Sequence, residues 1–217
     1  MPLHSNLREP LNQAVGQLGL TLSEQQVDHL LAYLALIHKW NQVYNLTAVR
    51  QPAAMLTQHL IDSLSLIAPL RRHSEGQALR VMDVGSGGGL PGVVLAIAMP
   101  ELTVVCVDAV AKKSSFIQQV AAELRLNNLR GEHARVENLK AAPFDVITSR
   151  AFASLPDFTR LTRQHLKPGA CWIAMKGQLP QDELDALPSS VEVFHVEQLR
   201  VPGMVAQRCL IWMRPKI

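Results

Sequence analysis

The sequence predicts an α/β fold: a mostly parallel sheet with an antiparallel edge hairpin, preceded by a helical extension. Three observations carry this. From about residue 79 onward short apolar runs alternate with helical patterns, which implies a parallel sheet with helices on both faces. Residues 1–76 carry no strand pattern and place apolar residues at three- and four-residue steps. Near the carboxyl end, two apolar runs are joined only by Val201-Pro202-Gly203-Met204-Val205-Ala206, short enough for a hairpin. The division expected is a helical extension over 1–76 and a core over 77–217.

The whole chain sets bounds. At 217 residues, 48% hydrophobic and 18% charged, it suits one α/β domain with a sizeable core. No apolar run approaches bilayer length, and Met1–Asn6 lacks the charged-then-apolar order of a secretory signal. The cytoplasm is the expected compartment. Cys106, Cys171 and Cys209 all fall in predicted strands; an odd number without paired spacing argues against a disulfide framework and a zinc site. The formal charge is +3 and the pI about 8.9. Basic residues recur at Arg71-Arg72, Lys112-Lys113, Arg160 with Arg163 and Lys167, and Arg208 with Arg214 and Lys216. These groups suit a polyanionic partner or an ordinary solvated surface equally well.

Ser23-Glu24-Gln25-Gln26 reads as a capping box opening a long helix whose stripe is Val27, Leu30, Leu31, Leu34, Ile37, Trp40 and Tyr44. Asn45-Leu46-Thr47 ends it. Pro52 begins another helix, on which His59 and Asp62 stand three apart and read as a hydrogen-bonded pair. These helices are expected to pack over the ligand end of the sheet. A strand over 79–84 leads into glycines at 85, 87, 88, 89 and 92, then a helix over 91–98 with Pro91 in its first turn. Strands follow at 102–107, near 129–134, at 144–150 and at 170–175, with a helix over 112–126 and a helix end at His165–Gly169. The last strands are 191–200 and 207–214.

The glycine spacing selects the ligand. Leu90 stands where a dinucleotide fingerprint needs its third glycine, and Val93-Val94 stand where a P-loop needs Lys and Ser/Thr. What remains, Asp83-x-Gly85-x-Gly87-x-Gly89, resembles motif I of class I methyltransferases that use S-adenosylmethionine, a Rossmann-like fold. Asp108, at the end of the next strand, stands where a carboxylate grips a ribose diol, or else caps the helix after it. Val136-Glu137 follow the third strand, either beside an adenine edge or as an ordinary helix start. Arg150, at the end of the fourth, either orients a base, pairs with the cofactor's carboxylate, or bridges to Glu137 or Asp145.

Several stretches then resemble one family, the bacterial 16S rRNA guanine-N7 methyltransferases of the RsmG type (glucose-inhibited division protein B). They are His38-Lys39-Trp40-Asn41, Tyr44-Asn45-Leu46-Thr47, His59-Leu60-Ile61-Asp62-Ser63, residues 83–92, Ser149-Arg150-Ala151-Phe152-Ala153-Ser154-Leu155 and Met175-Lys176-Gly177-Gln178. The resemblance spans about Leu22 to Lys216. It implies cofactor contacts at Gly85, Leu90, Val136, Glu137 and Arg150, beside Asp83, Ser86, Gly87 and Gly89 from the motif and Asp108 from the end of the second strand. Arg150 is the residue expected in catalysis, and Lys112, Lys176 and Arg208 are expected to meet rRNA. Lys112-Lys113 departs from the Lys-Arg often found there in the family. The implied partner is 16S rRNA or the small ribosomal subunit, with no metal, no membrane and a monomeric enzyme. The rival classes are a nicotinamide-dependent oxidoreductase, a small-molecule methyltransferase and a non-enzymatic ribosome-binding protein.

Overall fold

The computed structural model describes residues 6–216. Of the stretch read for a secretory signal, Met1–Ser5 lie outside the described residues.

Five helical segments precede the sheet: α1 (Arg8–Gln17), α2 (Glu24–Tyr44), α3 (Pro52–Met55), α4 (Asp62–Leu64) and α5 (Ile67–Ser74). The capping box forms as read. Ser23 Oγ accepts from Gln26 N while Gln26 Oε1 accepts from Ser23 N. Asn45 closes α2 in the left-handed conformation, φ +49°. Between α3 and α4 the chain widens into a π-helical turn, Leu56–Ile61.

The sheet then runs β1 (Arg80–Val84), α6 (Gly92–Ala98), β2 (Thr103–Asp108), α7 (Ala111–Glu123), β3 (Leu129–His133), β4 (Phe144–Arg150), α8 (Leu155–Thr162), β5 (Leu166–Lys176), α9 (Gln181–Asp185), β6 (Val191–Leu199) and β7 (Arg208–Pro215). Its order is β3-β2-β1-β4-β5-β7-β6. The first five strands pair in parallel, and β7 joins β5 and β6 antiparallel, which is the expected edge hairpin.

Period-two side-chain alternation splits the core into two layers. Val81, Val104, Cys106, Val146, Ile173 and Trp212 face a layer shared with α1–α7. Met82, Val105, Val107, Ile147, Trp172 and Ile211 face a layer closed by Phe158 of α8. The helices ahead of the sheet therefore share a core with it. The order reverses at β1, with β2 on one side and β4 on the other, so a crevice opens beyond their carboxyl ends.

Two local readings need correction. The helix expected to end at His165–Gly169 tightens after Thr162 into a 3-10 turn, Arg163–His165, and β5 already begins at Leu166, with a register shift against β4 at Phe144/Val146. Lys167 lies in that early part of β5 and binds Asp145 at 2.8 Å. Trp172 Nε1 donates to Thr162 Oγ1, fixing the helix end on the strand. The short helix α9 was not read from the sequence at all.

Candidate active site

The turn after β1 follows from its glycines. Gly85, Gly87 and Gly89 have φ of +65°, +58° and +90°, where a side chain is strained. Gly85 N donates to Val107 O at 2.8 Å, tying the turn to β2. A Cβ on Gly85 would lie 2.5 Å from Phe152 Cδ2, and one on Gly89 would collide with Val93. At Gly87 and Gly88 it would meet open space within 4 Å. The turn is therefore packed at both ends and bare in the middle.

Three side chains hold it. Tyr33 of α2, fully buried, donates its hydroxyl to Gly88 O at 2.6 Å. Asp108 accepts from Gly87 N on Oδ2 and from Val110 N on Oδ1, both at 2.9 Å. It thus braces the turn and the residues ahead of α7 with one carboxylate. Asp83 accepts from Gly92 N at 2.8 Å and is completely buried. Burial pushes its carboxyl up to about 7, against the opposing pull of the Gly92 N–H and the Arg150 charge. The structure places Asp83, like Gly89, beneath the turn, where both position the backbone.

Three neighbouring cavities meet here. The first, about 380 Å³, has Gly85, Asp108, Val136 and Glu137 in its wall, with Phe152 opposite. The backbone turn at Val136–Glu137 is held from behind: His165 Nε2 lies 2.7 Å from Val136 O, and Gln164 Nε2 donates to Glu137 O. The second, about 120 Å³, lies across Gly85, between Ser86, Gly87, Leu90, His59 and Arg150. The third, about 560 Å³, is walled by Arg150, His59, Asp62, Lys176 and Arg208. Gly85 belongs to the first two and Arg150 to the last two, so the three adjoin along one side of the sheet's carboxyl end.

The third cavity corrects the expected pairings. His59 does not pair with Asp62; its Nε2 lies 2.9 Å from Thr47 Oγ1. The π-helical turn that ends at Ile61 alters the three-residue stagger that a regular helix would give these two residues. Arg150 bridges neither Glu137 nor Asp145. Its Nη1 donates to Asp62 Oδ2 at 2.9 Å and Gln58 O at 2.7 Å. Asp62 Oδ1 accepts from Arg208 Nε at 2.9 Å. Lys176 Nζ is taken by both oxygens of Glu183 and by Ala153 O. Burial, and next the Arg150 charge, lower the His59 imidazole to about 4, so it is neutral near pH 7.

Among the expected site residues, Lys112 lines none of the three cavities, nor do Asp83 and Gly89 beneath the turn. Lys112 is exposed, its ammonium 5.6 Å from the Tyr44 ring centre. Sequence reasoning missed Tyr33, Phe152, Glu183 and the pairing of Asp62. Only Tyr33 carried a usable signal, standing three residues after Leu30 and four before Ile37. The chemistry of the donor set suits S-adenosylmethionine: bare backbone at Gly87 and Gly88, a carboxylate for a diol, and an apolar wall for a base. Among the described residues no group of three or more His, Cys, Asp or Glu is placed to hold a metal, and no helix is long and apolar enough to cross a membrane.

A switch-point crevice with a carboxylate ending the second strand, and a glycine turn that lacks the third glycine of a dinucleotide fingerprint, fits an S-adenosylmethionine-dependent methyltransferase. Solved structures share the fold. TrmN from Thermus thermophilus superposes at TM-score 0.56 with 20% identity, over 74% of this chain and 53% of that one. A SAM dependent methyltransferase from Aquifex aeolicus gives 0.53 with 17% identity, over 74% and 92%. Residues 26–211 match the family described as GidB, rRNA small subunit methyltransferase G, and the chain belongs to that family. Relatives called ribosomal RNA small subunit methyltransferase G are 59% identical in Leptothrix cholodnii (96% of each chain) and 58% identical in Paracidovorax citrulli (97% of this chain, 90% of that one).

Proposed function

We propose that this chain methylates N7 of a guanine in 16S rRNA of the small ribosomal subunit, as a cytoplasmic monomer. One observation supports the reading above others. The cavity beside Asp108 and the cavity beside Arg208 flank a smaller one that shares Gly85 with the first and Arg150 with the second, so a cofactor and a nucleotide bound in them would meet there.

Residues of the core, 77–217, hold the cofactor in this reading. Asp108 accepts hydrogen bonds from the ribose diol, the Val136–Glu137 backbone lies beside the adenine, and Gly85, Ser86, Gly87 and Leu90 carry the remainder. When bound, S-adenosylmethionine supplies a methyl group on a positively charged sulfur. Guanine N7 offers an in-plane lone pair and no proton, so no general base is required. Rate then comes from orientation, which is worth up to about 7–11 kcal/mol in favourable cases. Arg150 orients the nucleotide that carries the base. The 1–76 extension contributes His59, and its neutral ring adds no positive charge where the purine becomes cationic.

The test is to incubate small subunits, and separately deproteinised 16S rRNA, from a strain lacking the protein with enzyme and labelled donor. Nucleoside digests analysed by mass spectrometry should show 7-methylguanosine at one site. Label in small metabolites, at another atom of the base, or nowhere would refute the reading.

A further inference from the structure

We propose that Asp62 is a positioning residue that sets Arg150 and Arg208 side by side as a seat for one phosphate of the rRNA backbone next to the target guanine. The proposal rests on the reading above for the identity of the substrate and adds how this side of the site grips it.

The Asp62 side chain is 2% exposed, so it is shielded from a substrate and acts through its partners. Its two oxygens each take a different arginine at 2.9 Å. Those arginines come from β4 and β7, which are not adjacent: β5 lies between them. The carboxylate therefore spans the end of β5 and fixes the separation of two groups that the sheet alone would leave independent. Backbone carbonyls complete the clamp, Gln58 O on Arg150 and Gln207 O on Arg208.

What is left over points to the ligand. Arg150 Nε and Nη2 and Arg208 Nη2 have no partner among the described residues, and the two side chains are 22% and 25% exposed in the same cavity. The third cation there, Lys176, is neutralised by Glu183. Two guanidinium groups sharing one carboxylate carry a surplus of one positive charge, which matches one phosphate, and a planar fork suits its oxygens. The π-helical turn that delivers Asp62 is a form frequent at functional sites.

The experiment compares Asp62→Asn, Arg208→Gln and the double variant with wild type on small ribosomal subunits. It reads kcat, KM, S-adenosylhomocysteine affinity and the dependence of binding on salt. Each single variant should raise KM about tenfold, and Arg208→Gln, which removes a cation, should also lower the salt slope by about one phosphate contact. Cofactor affinity should change less than about threefold, and the double variant should be no worse than the poorer single one. A folded Asp62→Asn with wild-type KM, or additive losses in the double variant, overturns the proposal. Should Asp62→Asn melt below the assay temperature, Arg208→Gln decides alone: an unchanged salt slope overturns it. Wild-type enzyme making 7-methylguanosine in the same assay separates this outcome from failure of the underlying reading.

Discussion

On the Asp108 side of Gly85 the site is made mostly of backbone, and on the Arg150 side it is made of side chains. The first half spans residues close in the chain: the turn, the end of β2 and the short bend at Val136–Glu137. Its shape is set by positive φ angles and by one carboxylate accepting two N–H groups. The second half gathers residues 59, 62, 150, 176 and 208 from five places in the sequence and holds them through ion pairs. The difference teaches where each half is fragile. A backbone cradle loses its shape where a brace is removed, Asp108 at Gly87, Tyr33 at Gly88 or Asp83 at Gly92. A network of charged side chains fails by misorientation, leaving the fold in place.

The largest expected effect tests the first half. Asp108→Ala removes the brace on Gly87 and the proposed diol contact together. Cofactor affinity should fall at least about 100-fold, since hydrogen bonds to a charged group are worth roughly 1.5–3 kcal/mol each. Titration calorimetry with S-adenosylhomocysteine checks it, alongside a thermal melt showing the variant folded. An affinity within a few-fold of wild type would mean that the backbone cradle does not depend on its carboxylate.

Arg150→Ala is the matching change on the other half. Methylation should fall about 100-fold, equivalent to roughly 2.7 kcal/mol in the barrier. The protein should stay folded because Asp62 keeps Arg208 as a partner. Arg150→Lys should recover little: Nη1 alone reaches Gln58 O and Asp62, and an ammonium has no planar fork to leave Nε and Nη2 facing the substrate. Full activity in either variant would remove the side-chain half from the chemistry.

The same contrast explains what the sequence disclosed. The sheet, its order of elements, the edge hairpin and the glycine turn were legible because each is a local pattern: an apolar run, a glycine spacing, a capping box. Asp108 was legible for the same reason, one strand beyond the turn. Arg150 could be named but not paired, since its partner lies 88 positions earlier and no local rule connects them. His59 and Asp62 were misread as a pair because the three-residue rule assumes a regular helix, and the chain makes a π-helical turn there. Motif spacing places Asp83 near the ligand without saying which way it faces, and its buried carboxylate accepts from Gly92 N.

Asp83 sharpens that last point, with a smaller effect. Burial holds its carboxyl at about 7, above the ordinary 3.8. The folded state therefore retains a proton that the unfolded chain releases, so this group's stabilisation is fully present below about pH 4 and is lost as pH rises through about 7. Asp83→Asn cannot ionise. Its melting temperature relative to wild type should be higher at about pH 8 than at about pH 5, measured by thermal melts in matched buffers. A difference independent of pH would show that Asp83 titrates like an exposed carboxylate.

The smallest effect belongs to Lys112, the expected rRNA contact that the structure leaves outside both halves. It is exposed, and its nearest organised neighbour is the Tyr44 ring at 5.6 Å. Its neighbour Lys113 instead faces Asp108, 3.8 Å from Oδ2, and so belongs to the backbone half. Lys112→Ala should therefore leave kcat and cofactor affinity unchanged and weaken subunit binding only a few-fold, with at most about one unit lost from the salt slope. Lys113→Ala should show the opposite pattern, a modest loss of cofactor affinity with the salt slope intact. If Lys112→Ala lowered kcat as Arg150→Ala does, the side-chain half would have to extend past Tyr44, and the boundary between the two halves would be wrongly placed.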